Sequence, residues 1–182
     1  NGENNRDGHA HNYSCNYGVE GHSDTPEIIT ARRQHRLNLM ATLLFSQGTP
    51  LILAGDEFGH SQAGNNNGYA QDNETAWIDW SGIDDDPEFL SKVKRMLALR
   101  RELPLLRQQR FVHEPLDTGN SVIDLLWLDV DGLPMEDHAW ADASAFAVAY
   151  VERRDEGEAS FAVVLFNREP QPVQLLLPDP LA

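Results

Sequence analysis

The feature that most constrains the fold is a helix-length segment halted by a glycine and followed at once by a short, unbroken apolar run. Residues 25–54 read TPEIITARRQHRLNLMATLLFSQGTPLILA. Thr25 is a capping residue, Pro26 suits a first helical position because it has no N–H to leave unpaired, and Glu27 complements the positive helix end. The helix is expected to run to about Gln47. Its apolar positions Leu37, Leu39, Met40, Ala41, Leu43 and Leu44 cover most of the circumference, which predicts a largely buried second half. Gly48 then supplies a left-handed stop and Pro50 prevents resumption. The run at 51–54 (Leu-Ile-Leu-Ala) has no alternation, the pattern of a parallel strand covered on both faces. A helix feeding such a strand is an α/β unit.

The flanks differ. Residues 1–24 are dense in Asn, Gly, His, Asp and Ser and read as a long loop. The chain opens Asn1-Gly2-Glu3 without a Met, so it is expected to be a piece of a longer polypeptide. Residues 55–84 form a second long loop, and loops of that length inside a domain usually carry function. Tyr69, Trp77, Ile78 and Trp80 favour an ordered one. Asp86, Pro87 and Glu88 then open a second helix to about Glu102, with Phe89, Val93, Met96 and Leu97 as its inner stripe. Its Lys92, Lys94, Arg95, Arg100 and Arg101 are expected outside or near its negative end. Beyond Leu103-Pro104 the pattern changes to strand-like runs at 122–130, 145–152, 160–167 and 173–177, with turns at Asp131-Gly132 and Asp155-Glu156-Gly157. This predicts an α/β part over 1–104 and an antiparallel β part over 105–182, the boundary falling near 105–120.

Charge narrows the partners. Acidic side chains number 29 against 14 basic ones, a net charge of −15, so attraction to nucleic acid or an anionic membrane is not expected. The longest apolar runs fall well short of the roughly 20 residues of a membrane span, and no export signal opens the chain, so the reading is cytoplasmic. Cys15 is alone and can form no intrachain disulfide, in keeping with a reducing compartment.

The stretch GDEFGHSQAGNNNGYAQDNE at 55–74 holds the residues with most chemistry. Asp56 and Glu57 invite an acid–base reading, since glycoside hydrolysis uses two carboxyl groups about 5 Å apart for retention or about 6.5–9.5 Å for inversion. Neighbours on an extended strand face opposite ways, which argues against that pairing. Two readings stand: one carboxylate lines a site while the other supports it, or both hold loops together. Asn65, Asn66, Asn67, Tyr69, Gln71, Asp72 and Asn73 combine amides, a carboxylate and an aromatic ring, groups that suit a sugar's hydroxyls and its apolar C–H faces. Amide-rich loops are also commonly just turns. His9 and His11 have metal-ligand spacing but no third ligand, and the calcium-loop pattern is unmatched, so no metal is expected. Neither a Gly-x-Ser-x-Gly turn nor a Walker-type loop occurs, and no cofactor is expected.

Taken in order, NGENNRDG (1–8), HNYSCNYGVEG (11–21), RRQHRLNLMATLLFSQGTPLILAGDEFGHSQAGNNNGYAQDNE (32–74) and WIDW (77–80) closely resemble the isoamylase-type glycogen debranching enzymes of the α-amylase superfamily. The segment VIDLLWLDVDGLPMEDHAW (122–140) is similar to that family's C-terminal domain. The resemblance implies the last part of a (β/α)8 barrel followed by an antiparallel β-sandwich, and hydrolysis of α-1,6 branch linkages in glycogen or limit dextrin with retention. Barrel sites lie at the C-terminal ends of strands, which puts 55–74 at the cleft rim. The substrate-binding residues it implies are Asp56, Glu57, Asn66, Asn67, Tyr69 and Asp72, with Asn4, Asn5 and Arg6 beside them. The family's catalytic carboxylates belong to motifs on earlier strands that this sequence lacks. A barrel also needs about 250 residues, so the chain is expected to be inactive alone. The alternative expectation is a non-catalytic α-glucan-binding or accessory module. A barrel segment without neighbours would expose a strand edge, so self-association is a further expectation.

Overall fold

A computed structural model describes residues 2–4, 6, 11, 13–109, 125–141, 143–153 and 159–177. The chain divides into two compact units, one of Asn1–Leu44 with Pro50–Leu99, the other of Phe45–Thr49 with Arg100–Ala182. Asn5, His9, the first residues of the 122–130 run and the turn at Asp155-Glu156-Gly157 lie outside the described residues.

The first unit is built on two helices, α1 (Pro26–Phe45) and α2 (Pro87–Glu102). At the start of α1 the Thr25 N–H donates to Ser23 Oγ at 3.2 Å, and the Thr25 carbonyl accepts from Ile29 N at 3.0 Å. Arg32 ties the preceding loop to the helix by donating to the carbonyls of Gly21 and Asn16 at 2.6 and 2.7 Å. Three α1 side chains are buried, Leu37, Met40 and Leu44, at three- and four-residue spacing. Leu39 is 73% exposed, so the burial is a stripe and not the whole second half of the helix. The α2 stripe is narrower than its sequence suggests: Phe89 and Val93 are buried and Leu97 is exposed.

Residues 51–54 are not a strand. They carry no regular secondary structure and lead into a turn at Ala54-Gly55, with Leu51 88% and Leu53 59% exposed. A strand exists only by pairing its backbone with another, and among the described residues every strand belongs to the second unit. The apolar run therefore has the composition of a covered strand without the neighbour that would make it one.

The second unit carries an antiparallel sheet in the order β1 (Leu125–Leu128), β2 (Ala145–Arg153), β3 (Ala159–Asn167). Trp127 pairs with Val148, and Val148 with Val164. Because β2 is central, its two faces feed two clusters. Val148 and Tyr150 pack with Leu105 and Leu106 of the turn after α2, while Ala147, Ala149 and Val151 pack with Leu128, Val163 and Leu175. The predicted strand at 173–177 instead lies along the sheet, with Leu176 N donating to the Val130 carbonyl at 2.9 Å. Arg100 sits in the last turn of α2, near its negative end as expected, and is buried there, donating from Nη1 to the Ser46 carbonyl at 2.7 Å and from Nη2 to that of Gly48. Carbonyls left free where a helix stops can accept a guanidinium, which makes its burial tolerable.

Candidate functional site

The site region begins at a tight turn spelled GDEFG. Asp56–Phe58 forms a single 3-10 turn bracketed by Gly55 and Gly59, both left-handed with φ of 98° and 89°. Both left-handed conformations favour glycine, and Gly55 is also sterically confined, whereas the neighbour of Gly59 is the movable end of a side chain. A Cβ on Gly55 would stand 2.5 Å from His60 Cβ, and one on Gly59 would stand 2.2 Å from Arg36 Nη1. Phe58 is buried and anchors the turn, its ring centroid 5.7 Å from that of Trp80.

This geometry replaces the strand argument for Asp56 and Glu57, since both sit on a helical turn. Glu57 is turned inward to its own backbone, with Oε2 accepting the Gly55 N–H at 2.8 Å. Asp56 stays open to solvent on one side and on the other lines a pocket of about 280 Å³ together with Arg36, Leu39, Met40, Leu43, Gly59, His60 and Phe89. Burial pushes the Asp56 carboxyl above its usual value, the neighbouring Glu57 charge adds to this, and the Leu53 backbone and His60 act the other way. A carboxyl so placed holds its proton more readily than an isolated aspartate.

Arg36 organises the pocket wall. Its guanidinium lies 4.3 Å from the Phe89 ring centroid, and Nη2 is 3.3 Å from Asp86 Oδ2. Asp86 also caps α2 by accepting from Phe89 N at 3.0 Å and pairs with Arg33 at 2.6 Å. Arg36 and His60 were not among the residues singled out from sequence. The signal existed: Arg36, Leu39, Met40 and Leu43 have the i, i+3, i+4, i+7 spacing of one helix face.

The amide-rich segment is a chain of side-chain-closed turns. Asn65 Oδ1 accepts from Asn67 N at 2.8 Å, Asn67 Oδ1 from Tyr69 N at 3.2 Å, and Asn73 Oδ1 from Thr75 N at 2.9 Å. Asn66 is exposed and Tyr69 is 83% exposed. Asp72 Oδ1 accepts the indole N–H of Trp77 at 2.9 Å. Arg6 bonds locally to the Glu3 carbonyl at 3.2 Å, and Asn4 is exposed with a φ of 53°. Of the sequence-predicted set, the pocket gathers Asp56 alone, while Asn66, Asn67, Tyr69 and Asp72 share one exposed loop. Among the described residues, no group of three His, Cys, Asp or Glu side chains could hold a metal ion.

Over 141 residues the chain is 45% identical to the glycogen operon protein GlgX homolog of Mycobacterium bovis, a match covering 77% of this chain and 20% of that protein. It is 39% identical over 178 residues to the glycogen debranching enzyme of Serratia proteamaculans, covering 98% of this chain and 25% of that one. The chain is homologous to a segment of the glycogen debranching enzymes. It thus spans a quarter or less of the length of these two relatives. No family model matches it. Among solved structures, the pullulanase of Paenibacillus barengoltzii in complex with maltohexaose and α-cyclodextrin superposes with a TM-score of 0.56 at 25% identity, over 81% of this chain and 20% of that one. The debranching-enzyme match reaches 98% of the chain, so the GDEFG turn and the amide loop fall within the family's sequence.

Proposed function

We propose that this chain forms one wall of the glucan cleft of a debranching glycoside hydrolase, an enzyme cleaving α-1,6 branch linkages in glycogen or limit dextrin. In this reading residues 1–104 complete a (β/α)8 barrel and 105–182 form a β-sandwich domain. Asp56, Asn66, Asn67 and Tyr69 face the sugar, with Asn4, Asn5 and Arg6 as further substrate-binding residues. Glu57 supports the turn through the Gly55 N–H. The nucleophile and general acid come from polypeptide outside this chain, and the enzyme works in the cytoplasm.

The observation that carries the reading is the 39% identity to a glycogen debranching enzyme along 98% of the chain. Two others support it. An exposed loop of amides beside Tyr69 suits a neutral polyhydroxylated ligand, and a chain of net charge −15 disfavours an anionic one. The related pullulanase carries maltohexaose.

The test is a reducing-sugar assay on a branched glucan paired with a titration of the 182-residue chain with maltoheptaose. Saturable binding without turnover is expected. Turnover by the chain alone would overturn the assignment of the reacting carboxylates to other polypeptide, and absence of binding would overturn the cleft-wall reading.

A further inference from the structure

Beyond the residues that sequence motifs select, the first unit presents a tryptophan held for stacking. Trp77 is 57% exposed, yet it is held at two points. Its indole N–H donates to Asp72 Oδ1 at 2.9 Å, and its backbone N–H donates to the Asn73 carbonyl at 3.0 Å. Asn73 is itself fixed by accepting from Thr75 N at 2.9 Å and donating to Gln71 Oε1 at 2.8 Å. Tryptophan pairs a large apolar face with a polar N–H, and here the N–H is satisfied within the loop while the ring face is left open to a ligand. Pinning removes in advance the rotamer freedom that a ligand would otherwise have to take away on binding.

We infer that Trp77 is a stacking platform for a glucosyl residue of an α-glucan, and that Asp72 is a positioning residue for its indole and not itself a sugar ligand. The inference rests on the proposed glucan cleft and names a subsite of it. The ligand class follows from chemistry: the C–H face of a pyranose packs on an indole face, and the acidic chain disfavours nucleotides and other anions that could stack there. Asp72, engaged by the indole, orients the ring as an outer group orients a binding residue.

The test uses the intact chain and the indole N–H cross-peaks of its four tryptophans in a nitrogen–proton correlation spectrum, assigned by loss of one peak in Trp77→Phe. On titration with maltoheptaose the Trp77 peak should move along one saturable curve with the backbone signals of 65–72. Trp77→Ala should weaken binding roughly threefold to tenfold, and Trp77→Phe should restore most of it. Asp72→Ala should move the free-state Trp77 indole proton upfield, as its hydrogen bond is lost, and weaken binding by less than Trp77→Ala. Asp72→Asn, which keeps an acceptor, should do neither. If the 65–72 signals move while the Trp77 indole stays still, the stacking inference is wrong and the cleft reading survives. If maltoheptaose moves nothing, both fall. Because the titration of the unaltered chain decides between these, a variant that fails to fold does not shelter the inference.

Discussion

Asp86→Ala tests the junction on which the pocket depends. The Asp86 side chain works at two levels. Oδ1 accepts from Phe89 N at 3.0 Å, closing the first turn of α2, and lies 2.6 Å from Arg33 Nη2, while Oδ2 lies 3.3 Å from Arg36 Nη2. Losing an N-cap of this kind costs about 1 kcal/mol. The ion pairs are partly covered, with side-chain exposures of 23% for Asp86, 28% for Arg33 and 40% for Arg36, and Arg33 keeps Glu88 at 2.8 Å. Screening therefore holds both pairs together to about 1 kcal/mol. Asp86→Ala should cost about 2 kcal/mol, and Asp86→Asn, whose amide oxygen can still cap, about 1 kcal/mol. A global melt of a two-unit chain can mix transitions, so the measurement is amide hydrogen exchange along α2. Protection should fall in the order wild type, Asn, Ala. The gap between wild type and Asn should shrink in about 1 M salt, where the Debye length is about 3 Å. Equal loss in the two variants would remove the cap from the account, and a wild-type pattern in Asp86→Ala would remove the junction altogether.

Three further outcomes follow from the same geometry. Asp56 has its folded-state pKa raised, chiefly by burial, so the folded state binds the proton more tightly than the unfolded one. Its contribution to stability is present below the unfolded value of 3.8 and is lost as pH rises through the raised folded value, a component of the pH dependence that Asp56→Asn should remove from amide hydrogen exchange of the first unit across that window. Gly59→Ala should destabilise the first unit by the about 1–2 kcal/mol typical of a left-handed position plus the smaller cost of moving the Arg36 guanidinium, which the new Cβ meets, off Phe89 and Asp86. Gly18→Ala, left-handed at 92° but in open space, should cost only the conformational part, and equal costs by denaturant titration would deny the Arg36 contact. Finally, with Leu39, Leu51 and Leu53 exposed in the first unit, the chain should self-associate, and Leu51→Lys should shift it toward monomer in sedimentation velocity. A monomeric wild type at high concentration would contradict this.

Local signals were legible where local physics sufficed. Pro26 and Gly48 mark the ends of α1 to within a few residues, Asp86 caps α2, and the alternation of 145–152 and 160–167 yields β2 and β3. Each depends on dihedral preference, on capping or on side-chain period over a few residues. Two readings failed for a shared reason. The run at 51–54 had the right residues for a strand, and Leu39 looked buried. In each case the outcome depends on a distant partner, a second strand or a surface to cover the leucine, and the burial of Arg100 likewise depends on the carbonyls of Ser46 and Gly48.

The site divides the same way. Sequence alone determined that 55–74 is the chemically dense segment and which family it resembles, because motif order is a property of the chain itself. Only the tertiary structure decided what the groups do. Asp56 and Glu57 are neighbours in sequence, but a 3-10 turn sets one beside a pocket and sends the other back to the Gly55 N–H. Arg36, 20 positions before Asp56, becomes the pocket wall because helix periodicity carries it over Phe89. A carboxylate's role follows from its nearest donor and its access to water, and neither is written in the order of residues.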